Sequence, residues 1–384
     1  MKSKKLGINT ICTHVGEIED TQFKGAISPL FMASSYAYED VDVIRYPRYF
    51  NTPNQEGLCK KIAMLEHAEK ALIFGSGMAA ISTTILAFLG KGDHIVIQKT
   101  IYGGAYNFMV EELNKFGIEY SFTAGFSEEN FTSTIQTNTK VIYIETPSNP
   151  LLQITDLEMI ARIAKQHGIL SIIDNTFASP INQNPLDFGI DISIHSATKY
   201  LSGHSDICAG AVAASQEHIQ QIWRVAKNLG GSLSDYTVWL LERSMKTLAI
   251  RVKAQNRNAE KIAIWLQKHP LVLQVYYPGL KDHPDYKIAR KQMKGYTGML
   301  SFELVESLDA NIFMKSMELI KQSQSLAGVE STMVSPANTS HSMLDREERK
   351  LQGISDGLIR FSVGIEETED LIADLKYGFD KAKS

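Results

Sequence analysis

Cysteine is scarce in this chain of 384 residues: Cys12, Cys59 and Cys208 stand far apart and form no CxxC pair. That spacing excludes a disulfide framework and a cysteine zinc site, and it suits a reduced cytoplasmic protein. No charge of one sign dominates. Thirty-nine basic against forty-three acidic residues leave a formal net charge of -4, so a nucleic acid or an anionic membrane finds no global attraction. The patterns GxGxxG and GxxxxGKS/T are missing, which argues against a dinucleotide or a nucleoside triphosphate. Internal repeats and low-complexity tracts are missing too. The first residues, MKSKKLGINTICTHVGE, meet Gly, Asn, Thr and His before an apolar core of signal-peptide length forms, so no export is expected.

One uncharged run, from Ala71 to Gly90, has the length of a membrane span. Gly75-Ser76-Gly77 interrupts it, and it divides better into a short strand, ALIF, and a helix from Met78 to Leu89.

What is present is an ordinary globular composition, 44% hydrophobic and 21% charged. At roughly 150 residues per domain the length predicts two or three domains. From residue 57 onward short apolar runs alternate with helical patterns. ALIF (71 to 74), HIVIQ (94 to 98), KVIYIE (140 to 145), LSIIDN (170 to 175), DISIHS (191 to 196) and AGAVAAS (209 to 215) read as buried parallel strands. LCKKIAMLEHAEK, YNFMVEELNKFG and DLEMIARIAKQHG read as helices, with Asp156 capping the third. The body is an α/β sheet over 57–245. A long charged helical stretch broken by Pro270, then GMLSFELV, GLIRFSV and a last helix ETEDLIADLKYGFDKA, predict a smaller α+β domain over 246–384. Residues 1–56 read as an irregular arm reaching a partner.

Three places carry chemistry. Lys199 lies in SATKYLSGH directly after the strand DISIH, at the crevice where open α/β sheets bind ligands, among small hydroxyl residues suited to a phosphate. It is a candidate for Schiff-base formation, against a solvated loop lysine. Asp174 ends the apolar strand LSIID, where a carboxylate needs a cationic or hydrogen-bonding partner; a protonated pyridine nitrogen, a helix cap and a metal all qualify. Gly75-Ser76-Gly77-Met78-Ala79-Ala80 is a strand, a glycine turn and a helix start, which is a site for a single phosphate. Taken alone, Tyr102 reads as a core aromatic, Arg360 as part of an ion pair and Asn149 as a turn residue. His195, His204 and Asp206 lack metal-ligand spacing, so no metal is expected.

Together these places resemble the pyridoxal-phosphate enzymes of Cys/Met metabolism, the transsulfuration group of cystathionine lyases, γ-synthases and methionine γ-lyases. The resemblance runs through YPRYFNTPN (46 to 54), FGSGMAA (74 to 80), YGGAYNF (102 to 108), ETPSNP (145 to 150), IIDNTFASP (172 to 180), HSATKYLSGHSD (195 to 206), SLAGVES (325 to 331) and LIRFSVGIE (358 to 366). It implies pyridoxal-phosphate fold type I, like aspartate aminotransferase, with a large mainly parallel sheet domain and a smaller C-terminal α+β domain. It makes Lys199 the cofactor's covalent anchor and the proton carrier, and Asp174 the partner of the pyridinium nitrogen. Tyr102 would stack on the ring and assist the leaving group. Gly77 and Met78 amides with Ser196 and Thr198 hydroxyls would bind the phosphate, joined by Tyr46 and Arg48 of a neighbouring subunit. Asn149 would bond the phenolic oxygen. Arg360, with Ser325, would grip the substrate's α-carboxylate. A dimer is then the least complete assembly and a tetramer the usual one.

The chain departs from the family pattern in places. Pro47 replaces a usual serine, and Asn51-Thr52-Pro53 a usual N-P-T. Cystathionine-cleaving members tend to carry an acid, an arginine and an acid where Arg45, Asn107 and Gln324 stand, and methionine γ-lyases a cysteine where Gly104 stands. The expected reaction is cleavage of the carbon-sulfur bond of a cystathionine-type amino acid. The rivals are γ-replacement on an O-acylhomoserine, β-elimination of cystathionine, γ-elimination of methionine, a nucleotide-dependent oxidoreductase, and a non-catalytic regulatory protein that binds pyridoxal phosphate.

Overall fold

The apolar runs become the centre of a seven-stranded sheet in a computed structural model that describes residues 6–339, 346, 349 and 353–383. Its strands are β1 (Lys70–Phe74), β2 (His94–Ile97), β3 (Glu119–Phe122), β4 (Thr139–Glu145), β5 (Leu170–Asp174), β6 (Ile192–His195) and β7 (Gly210–Ala214), in the order β1-β7-β6-β5-β4-β2-β3. Alternation along these strands explains why two apolar layers are needed. Ile95, Ile97, Val141, Tyr143 and Ile172 face one core with the helix Gly77–Phe88, whereas Val96, Ile142, Ile144 and Ile173 face another with the helix Leu157–His167. Each such isoleucine, fully buried, contributes roughly 1.5–3 kcal/mol.

Helix starts follow the hydroxyl and carboxylate caps. Asp156 accepts from the Met159 amide at 3.2 Å, as expected, and Ser76 from the Ala79 amide at 3.0 Å. The first predicted helix begins earlier than its apolar pattern, at Pro53, because Thr52 and Gln55 form a reciprocal capping box. The uncharged run from Ala71 divides into β1 and the helix Gly77–Phe88, and no described helix is long and apolar enough to cross a membrane.

One strand departs from the expected direction. The pattern predicts AGAVAAS as a parallel strand, but β7 pairs antiparallel with both β1 and β6, while the remaining pairs of this sheet are parallel. A parallel return needs a crossover, usually a helix. The chain from Ser196 to Ala209 forms no helix, so it re-enters the sheet from the end where β6 left it. This keeps the whole Lys199 loop at the carboxyl edge. YNFMVEELNKFG also differs: it winds as α, π and 3-10 turns over Gly103–Asn107, Phe108–Glu112 and Leu113–Phe116, keeping Ala105, Met109 and Leu113 inward.

A second sheet, β8 (Val272–Tyr276), β9 (Met299–Leu304), β10 (Lys321–Gln322), β11 (Thr332–Val334) and β12 (Leu358–Ser362), has the order β10-β11-β12-β9-β8. The helix Leu248–Gln267 spans both units: Leu248, Ala249 and Val252 enter the core under the first sheet, and Ala259, Ile262 and Leu266 that under the second. The arm is less irregular than expected, for Ile8–His14 is a helix that buries Ile11 and Cys12.

Candidate active site

Lys199 sits in the loop after β6, half-buried, with its Nζ 3.3 Å from the Ser325 hydroxyl of the second unit. Burial pushes its pKa down from the usual lysine value, and the neighbouring Arg360 charge pushes it the same way. Arg360 on β12 is only 5% exposed and donates to Asn149 Oδ1 at 3.1 Å and to the Gln324 carbonyl at 3.0 Å, while its Nε is buried without a partner among the described residues. Those acceptors are neutral, so the structural ion pair expected from the residue alone is not formed within bonding distance. Burial lowers the Arg360 pKa to about 10, with Glu145 and Tyr102 opposing.

Asp174 closes β5. Burial pushes its carboxyl up, against hydrogen bonds from Thr176 and the pull of His195. Its Oδ1 accepts the Thr176 amide at 3.0 Å, and Thr176 Oγ1 accepts the Ser196 amide at 2.8 Å, tying β5 to the Lys199 loop. Across from it the helix Gly77–Phe88 begins. The first-turn amides of Gly77 and Met78 have no intrahelical acceptor. A β-carbon on Gly77 would stand 2.8 Å from Ser196 Cβ, so glycine lets this helix end close on the Ser196 hydroxyl. Thr198 Oγ1 lies 3.1 Å from the Ala209 carbonyl.

Tyr102 is not a core aromatic: it is 45% exposed, at the start of the turn Gly103–Asn107. Asn149 is buried, and with Oδ1 engaged by Arg360 its amide nitrogen is the end able to donate elsewhere. Asn107 and the Gln324 side chain are exposed. Tyr46, Arg48 and Arg45 make their contacts within the arm and its support. The Tyr46 amide donates to Asn51 Oδ1 at 2.9 Å, Arg48 to the Lys227 carbonyl at 2.5 Å, and Arg45 to Glu56 at 2.9 Å and to the Asn51 carbonyl. None of these contacts reaches Lys199, Asp174 or Arg360. His195 pairs with Glu66, and His204 with the Ser202 carbonyl at 2.7 Å.

Glu145 was missed. It ends β4 in register with Asp174 on β5, and its two oxygens accept the Tyr102 amide at 2.6 Å and the Asn149 amide at 3.0 Å. Burial and the Asp174 charge push its pKa well up, opposed by those two hydrogen bonds and by Arg360. The sequence shows only an acid at a strand end, four residues before Asn149; its pairing opposite Asp174 and its backbone-amide partners appear only in the fold.

One contiguous patch therefore offers a desolvated amine, a buried carboxylate without a bonded cation and a helix end with free amides. These match an aldehyde, a protonated ring nitrogen and a phosphate, so the residues fit pyridoxal 5'-phosphate. With a lysine on the loop after a strand of a mainly parallel sheet and a second unit beside it, the fold is that of the aminotransferase-like pyridoxal-phosphate enzymes. Residues 9–380 match the model of the Cys/Met metabolism PLP-dependent enzyme family, and the chain belongs to it. It is 42% identical to a cystathionine gamma-lyase of Bacillus subtilis over 98% of both chains. It is 40% identical to an L-methionine gamma-lyase of Fusobacterium nucleatum over 99% of this chain and all of that one. The crystal structure of cystathionine gamma-lyase from Lactobacillus plantarum complexed with L-serine superposes with a TM-score of 0.94 at 38% identity, covering 98% of this chain and all of that one.

Proposed function

We propose that this enzyme cleaves the Cγ–sulfur bond of a cystathionine-type amino acid, converting cystathionine and water to cysteine, 2-oxobutanoate and ammonia. The observation that carries the reading is the buried Arg360 guanidinium, bonded among the described residues only to neutral oxygens and set beside the Lys199–Ser325 pair. A desolvated cation without a bonded anion is a seat for an α-carboxylate, and the nearby amine is placed for the adjoining carbon.

Pyridoxal phosphate, when bound, supplies an electron sink for charge developing at carbon. Lys199 Nζ would anchor the aldehyde and, when free, act as the proton carrier of the site, taking the Cα proton, passing it on, and only then, neutral again, taking one from Cβ. Its depressed pKa leaves more of it neutral, which suits a base. Asp174 would hold the ring nitrogen, Gly77, Met78, Ser196 and Thr198 the phosphate, and Asn149 the phenolic oxygen. Tyr102 would cover the ring and assist the leaving group, while Arg360 and Ser325 would orient the carboxylate.

Residues 57–245 would form the cofactor domain, 246–384 the C-terminal domain and 1–56 an arm to a second copy of the chain. Phe23, Met32 and Tyr38 of the arm are 80%, 71% and 73% exposed, which supports burial against that copy. Tyr46 and Arg48 would then complete the neighbour's phosphate site, in a dimer or tetramer, and Arg45, Asn107 and Gln324 would line its distal pocket. The three cysteines are free, consistent with a cytoplasmic location. A product assay on cystathionine, homocysteine, cysteine, methionine and O-acylhomoserines tests the reading. Predominant 2-oxobutanoate from cystathionine supports it; pyruvate points to β-elimination, and no turnover of any amino acid to a non-catalytic protein.

A further inference from the structure

We propose that Glu145 is a positioning residue that holds Tyr102 and Asn149, and through Asn149 the Arg360 guanidinium, as one unit. The inference rests on the reading of Tyr102 and Arg360 given above. Glu145 itself is fixed first. Its backbone carbonyl accepts Gln98 Nε2 at 2.8 Å, and Gln98 also donates to the Thr100 carbonyl at 2.9 Å and accepts from Thr155 Oγ1 at 2.7 Å. The end of β4 is thereby pinned before any side chain reaches the site.

The carboxylate then divides between two loops. Oε2 accepts the Tyr102 amide at 2.6 Å, at the entry of the Gly103–Asn107 turn, and Oε1 the Asn149 amide at 3.0 Å. Asn149 in turn receives Arg360 Nη1 at 3.1 Å. Only a carboxylate presents two acceptors to two separate donors; a glutamine at the same place turns an NH2 against one of the amides. With both oxygens engaged, Glu145 is poorly placed as a base for substrate. Burial first, and then Asp174 on the next strand, oppose its charge; the two amide hydrogen bonds and Arg360 favour it.

The test uses Glu145→Gln and Glu145→Asp in the full chain. In the cofactor-free protein, hydrogen exchange at the Tyr102 and Asn149 amides should speed up roughly tenfold or more in Glu145→Gln while amides of β5 stay protected. Loaded with pyridoxal phosphate, Glu145→Gln should still be labelled at Lys199 by borohydride, since Ser325 and not Glu145 contacts that amine. Its visible circular dichroism should weaken as Tyr102 loosens. KM for every amino-acid substrate should rise roughly 10- to 100-fold, with kcat falling less. Glu145→Asp, which keeps the charge, should recover part of each effect.

Unchanged exchange at the two amides, or a loss of kcat that tracks melting temperature without a KM or dichroism change, overturns the proposal. So does failure of both variants to fold, because a positioning residue is dispensable to the fold. Absence of any Lys199 label in the unaltered protein sinks the cofactor assignment instead, and the exchange arm still decides whether Glu145 holds the two loops.

Discussion

Arg360 Nη1 donates to Asn149 Oδ1 at 3.1 Å, and this bond joins β12 of the smaller sheet to the turn leaving β4 of the larger. It brings a buried cation to the carboxyl edge of the main sheet, where Lys199, Asp174 and Glu145 already lie. In a desolvated site such charges act on one another strongly. Burial is the larger cause for both groups; beside it Arg360 helps to depress Lys199 and favours the ionised form of Glu145, which Asp174 opposes. The chemistry of the amine is therefore partly set by a residue 161 positions further along the chain.

The titration of Lys199 follows with its sign. Burial and a like charge both disfavour its protonated form, so in the cofactor-free protein Lys199 should become reactive below the usual lysine pKa of 10.5. The rate of pyridoxal-phosphate uptake, followed against pH, should show that depressed midpoint. Arg360→Met removes the like charge and should move the midpoint up but not fully back, because burial is the larger cause. A midpoint unchanged or lowered in the variant would count against the coupling.

Arg360→Lys keeps the charge and loses the fork that spans the Asn149 side chain and the Gln324 carbonyl. Every amino-acid substrate shares the α-carboxylate, so KM should rise for all of them by a similar factor, roughly 10- to 100-fold. Steady-state kinetics on cystathionine and on an O-acylhomoserine checks this. A penalty confined to one substrate would place Arg360 at the distal group.

The central strands, the capped helix after Asp156 and the places of Lys199, Asp174 and Asn149 were legible because local signals suffice there: apolar runs, a cap and a strand end. β3 was not, since it lies at the sheet edge and its EYSF is only partly buried, leaving no apolar run to read. The reversal of β7 depends on a missing crossover, which no strand pattern reveals. Glu145 stayed hidden for a similar reason. A buried acid whose partners are backbone amides leaves no complementary side chain in the sequence.

Gly104 carries a prediction that only the geometry supplies. A β-carbon there would stand 2.6 Å from Cε1 of Tyr102, so any side chain must push the exposed ring aside. Gly104→Ala should keep the fold and the Lys199 attachment but displace Tyr102, lowering kcat about tenfold and altering the bound cofactor's circular dichroism. If both signals stay at the unaltered protein's values, the ring does not act from the place seen.

Shared sites can be tested by mixing. Arg48 contacts the Lys227 carbonyl and lies over the Tyr46 and Tyr49 rings, not the Lys199 cluster. Mixing inactive Arg48→Ala with inactive Lys199→Ala under conditions of subunit exchange should restore part of the activity, because one site then draws an intact Lys199 and an intact Arg48 from different chains. No recovery despite demonstrated exchange would make each site self-contained.

The distal pocket should decide the substrate, and here the structure sharpens the expectation. Arg45 is already neutralised by Glu56 at 2.9 Å, so its charge is less available to a distal carboxylate than the residue alone implies. Gln324 holds Arg360 through its backbone carbonyl, which leaves its exposed side chain open to change without breaking that bond. Arg45→Glu also releases Glu56 from its partner, and with Gln324→Glu the distal pocket proposed for these residues would become acidic. A partly desolvated acid near a substrate ammonium contributes about 1–3 kcal/mol, or roughly 5- to 150-fold in discrimination. The double variant should therefore raise kcat/KM for cystathionine, which carries a distal ammonium, relative to O-acylhomoserines, which lack one. Gln324→Glu alone should move the ratio the same way with little effect on KM for the substrates without that group, since the Arg360 contact survives. If the ratio of the two kcat/KM values is unchanged in the double variant, these positions do not read the distal end of the substrate, and the choice among the family's reactions lies elsewhere in the pocket.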